Sequence, residues 1–237
     1  LSSTGALELE KLPESVAIIG GGYIGLELGC ALTKLGTKVT VIEGLESVLS
    51  IFDSELRRPL EIWLKKNGVK IHTGALAKGV KITTNGAEIT WTDKKGEDVS
   101  EEFNKILVTV GRVPNTKGWG LENMGLRMDE SGRFIKTDIQ CKTSMRGVWA
   151  IGDVAGEPML AHKASAQGEM VAEIIAGKRR VFDKVAIPAI VFTDPEIVSV
   201  GLSPKEAEAR NEEVITGKFP LAANGRALTL EAEKTAG

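Results

Sequence analysis

The chain is poor in the residues that staple or metallate a fold. It holds two cysteines in 237 residues, Cys30 and Cys141, and they stand in neither Cys-x-x-Cys nor Cys-x-x-x-x-Cys spacing. That excludes a disulfide scaffold and suits a reducing, cytoplasmic setting or a mitochondrial matrix. Each thiol reads as a small core residue, Cys30 on the inner face of a helix and Cys141 in a strand-like stretch. The two histidines, His72 and His162, form no cluster with cysteine, so no metal site is expected. No apolar run approaches the ~20 residues of a membrane span, and no signal-peptide pattern opens the chain. Neither charge dominates: 30 basic and 32 acidic residues are well mixed, for a net charge of −2. Without a basic stripe there is no case for nucleic acid. No Ser/His/Asp or Cys/His pairing is readable, which argues against a hydrolase.

Glycine, by contrast, is plentiful, with 27 residues, and apolar residues make up 42% of the chain. This is ordinary for a soluble α/β protein with one large or two smaller cores. The most informative stretch is Val16-Ala17-Ile18-Ile19-Gly20-Gly21-Gly22-Tyr23-Ile24-Gly25. It reads as a buried strand, then Gly-x-Gly-x-x-Gly, then a helix to about residue 35. A second strand over 38–42 ends on Glu43. That order is what a dinucleotide site requires. Gly20 makes the tight turn, Gly22 lets a pyrophosphate approach the backbone, and Gly25 and Gly29 let the helix pack closely on the sheet. The helix N-terminus favours phosphate. Glu43 is placed to bond a ribose diol and to repel a 2′-phosphate, which predicts NAD over NADP. The alternative is a glycine-rich αβ corner without a ligand.

Around this unit, Ser2-Ser3-Thr4 caps a short lead-in helix that Pro13 stops. An amphipathic helix is expected over 53–66, with Leu56, Leu60, Trp63 and Leu64 on one face and Pro59 near its start. Asn67-Gly68 ends it, and 69–72 is the next strand. Residues 80–83, Asn85-Gly86 and 87–91 give a hairpin signal with the favoured turn dipeptide. Asp93 to Gly96 makes a further turn, so an antiparallel meander interrupts the α/β pattern. Residues 105–110 return as a buried parallel strand beside the first. Beyond a glycine-rich crossover, short strands are expected at 134–135 and 148–151. A long helix follows over 161–175, closed by Gly177. Residues 185–200 carry two apolar runs that read as a new sheet, and Ser203-Pro204-Lys205-Glu206 is a capping box.

Other residues are candidates for chemistry. Asp153 follows a strand and a glycine, where a carboxylate bonds either cofactor hydroxyls or its own turn. Met159, Leu160, Ala161 and His162 lead into a helix N-terminus that can face negative charge. Glu27 lies one turn past the phosphate turn, near a nicotinamide or simply on the helix surface. Arg112 is read as a salt-bridge partner.

Together these motifs resemble the flavin-dependent pyridine nucleotide–disulfide oxidoreductases, over essentially the whole chain. Gly20-Gly21-Gly22-Tyr23-Ile24-Gly25-Leu26-Glu27 resembles the family's NAD(P) fingerprint. Val110-Gly111-Arg112-Val113-Pro114-Asn115-Thr116 is similar to its link back to the flavin domain, and Trp149-Ala150-Ile151-Gly152-Asp153-Val154 to its second flavin motif. Pro158-Met159-Leu160-Ala161-His162-Lys163-Ala164 is similar to the form found in the lipoamide dehydrogenase branch. The resemblance implies a Rossmann-like NAD-binding domain at 14–112 with a β-meander insertion, after a lead-in at 1–13. It implies the second half of an FAD-binding α/β domain at 113–184, and a truncated α+β dimerisation domain at 185–237. It also implies roles. Tyr23 and Glu27 lie beside the nicotinamide, with Tyr23 as a gate, and Gly111 contacts the nucleotide. Asp153 bonds the ribityl chain of FAD, and Met159, Leu160, Ala161 and His162 present the helix end to the flavin. The family passes electrons from dihydrolipoamide to a disulfide, to FAD and to NAD. Its partners are a second copy, as a homodimer, and the lipoyl domain of a 2-oxo acid dehydrogenase or glycine-cleavage complex.

The departures from the family are the redox Cys-x-x-x-x-Cys, the first flavin glycine motif and the C-terminal His–Glu, none of which is present. The chain opens on Leu1 rather than Met. It therefore reads as an internal piece that binds NAD without completing the reaction, with retention of FAD open. Two alternatives stand beside this: another flavin disulfide reductase or NADH oxidase of the family, and a non-catalytic NAD-binding module.

Overall fold

The computed structural model describes residues 1–183 and 187–229. The chain divides into two compact units, one of Leu1–Gly111 with the chain from Ile190 onward, the other of Arg112–Ala189. In the first unit, Ser2 caps α1 (Ser3–Leu7), its hydroxyl accepting from the Gly5 N–H. Four strands then form a parallel sheet: β1 (Ser15–Ile19), β2 (Lys38–Ile42), β3 (Lys70–His72) and β7 (Lys105–Val108), in the order β3-β2-β1-β7. β1 is central. It pairs Val16 with Val39 on one side and with Lys105 on the other. Val16, Ala17 and Ile18 are all buried, as a strand covered on both faces demands. Successive side chains of β1 point to opposite layers. Ile18 meets the glycine face of α2 (Tyr23–Lys34), while Ala17 joins a cluster with Ile89, Trp91 and Phe103.

That cluster belongs to the meander of β4 (Leu76–Ile82), β5 (Ala87–Thr92) and β6 (Asp98–Phe103), an antiparallel sheet in chain order. β5 alternates strictly, with Ala87, Ile89 and Trp91 buried and the residues between them less so. The expected hairpin is present: Ile82 pairs with Ala87, and across the turn between them the Thr83 N–H donates to the Gly86 carbonyl at 3.1 Å. Gly86 does not take a positive φ. Glycine is needed there because a Cβ would lie 2.8 Å from the Asn104 Cα. The second turn is as read: the Asp93 carboxylate accepts from the Lys95 and Glu97 N–H groups, and Gly96 has φ +84°.

Helix α3 (Ser54–Lys66) buries Leu60 and Leu64, but Leu56 is 41% exposed. Pro59 sits inside the helix rather than at its start. The carbonyl it deprives of a donor belongs to the exposed Glu55, where water can replace the bond.

The second unit has less regular structure. The strands expected at 134–135 and 148–151 shrink to isolated bridges, Met128 with Ile135 and Lys142 with Trp149. Phe134, Ile135 and Ala150 are buried as strand residues would be, yet no described neighbour extends either ladder. Cys141 is buried, but with φ 59° in a turn rather than extended. Helix α4 (Ala161–Ile175) is present and closes at Gly177, φ +89°. Beyond it, β8 (Ala189–Val191) pairs with β9 (Ile197–Ser199), the expected new sheet, although residues 185 and 186 of that reading lie outside the described residues. Helix α5 (Pro204–Ala209) has the Ser203–Glu206 capping box in full. No helix among the described residues is long and apolar enough to cross a membrane.

Candidate dinucleotide site

The chain leaves β1 at Gly20, whose φ of +100° turns it sharply. The Gly20 N–H donates to the Ile42 carbonyl at 2.9 Å, and its own carbonyl accepts from the Thr109 hydroxyl at 2.9 Å. The Gly21 N–H donates to Glu43 Oε2 at 2.6 Å, and its carbonyl accepts from the Leu49 N–H at 2.9 Å. Strand ends and loop thus fasten the turn from several sides. A Cβ on Gly20 would lie 2.7 Å from the Thr109 carbonyl oxygen, and one on Gly21 2.7 Å from Val48 Cγ1. Gly22 is different. A Cβ there would meet nothing within 4 Å, so the backbone faces open space. This is the N-cap of α2, and no side chain caps it. Main-chain donors at the mouth of a twelve-residue helix favour an anion. Gly25 then packs against β1, where a Cβ would stand 2.6 Å from Thr109 Oγ1 and 3.0 Å from Ile18 Cγ2.

Glu43 is half-buried, with Oε1 accepting from the Leu45 N–H at 2.7 Å and Oε2 held by Gly21. Each carboxylate oxygen keeps a second lone pair for a hydroxyl donor. Tyr23, Ile24 and Glu27 are half-buried on the first turns of α2. Glu27 Oε1 accepts from the Phe192 N–H at 2.9 Å. Gly111, φ +135°, has open space about it at the end of the same unit. The structure therefore gathers Gly20, Gly22, Gly25 and Glu43 around one turn and sets Tyr23 and Glu27 on the helix leading from it. Farther along α2, burial pushes the Cys30 thiol up, against a main-chain hydrogen bond from Asp194 and the Lys34 charge.

Sequence reasoning missed Thr109, Val48 and Leu49. Thr109 had a signal, because β7 pairs Val108 with Ile19 and so sets the next residue opposite Gly20. Val48 and Leu49 had none, since a loop that folds back over a turn leaves no periodicity.

In the second unit, Asp153 is half-buried in a 3-10 turn, Gly152–Ala155. The Gly152 N–H donates to Gln167 Oε1 of α4 at 2.8 Å. Leu160 is the N-cap of α4, and no side chain caps that helix. The Met159 N–H turns to Glu157 Oε2 at 3.2 Å, and Leu160 N–H to the Pro158 carbonyl at 3.1 Å. Ala161 and His162 are exposed in the first turn, with His162 Nε2 2.7 Å from the Pro188 carbonyl oxygen. Lys163 and Gln167 were not anticipated. Both are buried, one helical turn apart, with the Lys163 ammonium donating to the Gly156 carbonyl. Polar residues at that spacing read as a solvated face, so no pattern marked them. Arg112 is exposed and makes no ion pair among the described residues, in contrast to the expected salt bridge. In water such a pair gains little.

Comparison with known proteins bears on the family and the fold. The sequence pattern described as pyridine nucleotide-disulphide oxidoreductase matches residues 1–168, and that of the same family's dimerisation domain matches 187–236. A dihydrolipoyl dehydrogenase of Pseudomonas aeruginosa is 51% identical over 99% of this chain and 49% of its own length. One from Geobacillus stearothermophilus is 48% identical over 97% of this chain and 48% of its own length. Among solved structures, LpdA from Mycobacterium tuberculosis superposes with a TM-score of 0.87 at 32% identity, over 98% of this chain and 50% of that one. The flavoprotein disulfide reductase RclA from Escherichia coli gives 0.86 at 27% identity, over 100% of this chain and 53% of that one. The chain spans about half the length of the curated relatives it matches.

Proposed function

The chain belongs to the pyridine nucleotide-disulphide oxidoreductase family, and from that premise we propose that its Leu1–Gly111 unit binds NAD. The observation that carries this reading is the pairing of Glu43 with the open backbone at Gly22. Gly22 and the first turn of α2, with Gly20 and Gly25 shaping the approach, hold the pyrophosphate. Glu43, already fixed by two main-chain donors, accepts from the adenosine ribose diol. Negative charge there disfavours the 2′-phosphate of NADP. Tyr23, Ile24, Glu27 and Gly111 line the nicotinamide half.

We assign 14–112 to the NAD-binding domain, 113–184 to part of an FAD-binding domain and 185–237 to a dimerisation domain. In the second, Asp153 is positioned for ribityl hydroxyls, and Met159, Leu160, Ala161 and His162 bring the uncapped end of α4 to the flavin. Bound, the two cofactors supply two-electron transfer between a dithiol and a nicotinamide. The whole protein is read as a cytoplasmic homodimer that oxidises the dihydrolipoamide of a lipoyl domain and reduces NAD. Residues 1–237 do not complete that reaction alone. Cys30 and Cys141 are each buried and stand in neither spacing of a redox pair, so they offer no accessible dithiol for exchange.

The test is a fluorescence titration of the pure chain with NADH. A saturable signal, with NADPH much weaker, is expected. Absence of saturation overturns the NAD assignment. Lipoamide-dependent NADH formation by these residues alone overturns the assignment of the redox step to residues outside them.

A further inference from the structure

Residues 192–194 run along helix α2 and touch it at a repeating interval. The Phe192 N–H donates to Glu27 Oε1 at 2.9 Å. The Asp194 N–H is directed to the Cys30 sulfur. The Asp194 carboxylate pairs with Lys34 Nζ at 2.7 Å. Glu27, Cys30 and Lys34 are three and four residues apart, which sets them on one stripe of the helix. Lys34 is braced from its other side, its ammonium 5.8 Å from the centroid of Trp63 on α3. Between the two contacts Thr193 is buried, its hydroxyl donating to the Pro195 carbonyl at 2.8 Å. The segment is a strap fastened at one end by the Lys34–Asp194 ion pair and at the other by Glu27, in the N-terminal half of α2.

We infer that Lys34 and Asp194 are positioning residues for the dinucleotide: by fastening the 192–194 strap to α2 they keep the Phe192 N–H on Glu27 and fix that carboxylate for the half of the ligand beyond the pyrophosphate. The inference rests on the NAD reading above. An unanchored glutamate on a helix surface samples several rotamers, and a ligand that needs one of them must select it. Holding Oε1 with a main-chain donor removes that selection. The carboxylate keeps further acceptor sites, which suit the two N–H groups of a carboxamide. The ion pair itself is partly exposed, with side-chain exposures of 53% and 31%, so its leverage is modest and sensitive to salt.

The experiment compares NADH with ADP-ribose, which lacks the nicotinamide, on the wild-type chain and on Lys34→Ala, Asp194→Ala, the double variant and Lys34→Arg. NADH affinity is expected to fall roughly two- to fivefold in each alanine variant. ADP-ribose affinity should not change. The double variant should be no weaker than either single, Lys34→Arg should restore NADH binding, and high salt should narrow the difference. Equal losses for both ligands overturn the inference, as does unchanged or tighter NADH binding. If the wild-type chain binds neither ligand, the NAD reading itself fails. If it binds both and the variants match it, only the strap fails. Lys34→Gln and Asp194→Asn carry the same test should the alanine variants not fold.

Discussion

Two glycine corners in this molecule are built alike but pinned by different acceptors. Each turns on a positive-φ glycine, Gly20 at +100° and Gly152 at +72°. Each has a nearby main-chain N–H pinned by a side chain from another element, Gly21 by Glu43 and Gly152 by Gln167. At the first, the acceptor is a half-exposed carboxylate beside open backbone. At the second, it is a neutral amide only 5% exposed, where a charge would be costly to bury. The first corner sits between two parallel ladders, while the second follows an isolated bridge. The group that pins such a corner decides whether a ligand can share the acceptor.

The sharpest way to break the first corner is Gly25→Val. Its Cβ would stand 2.6 Å from Thr109 Oγ1 and 3.0 Å from Ile18 Cγ2, so helix and strand must separate. Loss of NADH binding and a stability drop of about 3 kcal/mol or more in urea unfolding are expected. Glu43→Arg tests the acceptor. NAD affinity should fall about 10- to 100-fold as charge-assisted bonds to the ribose are lost, with NADP gaining, both read by titration. Unchanged preference would remove Glu43 from the ribose.

Gln167→Leu tests the second corner. It strands the Gly152 N–H and should cost about 1–3 kcal/mol in the Arg112–Ala189 unit. Unfolding followed by hydrogen exchange locates that loss, and NADH titration should be unaffected. Thr109→Val removes the hydroxyl bonds to Gly20 and Ile19 and should cost about 1 kcal/mol, with a matching small loss of NADH affinity.

The smallest effect is one of pH. Arg180 and Lys178 hold the Glu173 carboxyl at about 2, below its usual 4.5. A depressed carboxyl pKa favours the folded state above the ordinary value and loses that contribution as pH falls toward 2. Wild type and Glu173→Gln should therefore differ slightly in urea midpoint at pH 6 and converge near pH 2.

The parallel order of β1, β2 and β7, the meander and the capping box were legible because each rests on local period or turn chemistry. The helix over Pro59 was legible in extent but not in how it tolerates the proline, which depends on water reaching the Glu55 carbonyl. The hairpin around 83–86 was legible from its turn residues, but the reason for glycine at position 86 was not. Gly86 is there for the approach of residues 103 and 104, a contact no local pattern records. The bridges at Ile135 and Trp149 read as strands because burial shapes a sequence as strongly as pairing does. Of the site, the glycines and Glu43 were visible as a spaced motif, whereas Thr109, Leu49, Gln167 and the 192–194 strap were not.

By itself the sequence determined where the chain must turn, which faces must be dry and which acid ends the second strand, since spacing and the lack of a Cβ act over a few bonds. Only the tertiary structure decided what holds those turns: Thr109 and Leu49 on the first corner, Gln167 on the second, Asp194 on Lys34. Those partners meet across separations of many residues, and the geometry that joins them exists only once the sheet and its helices have packed.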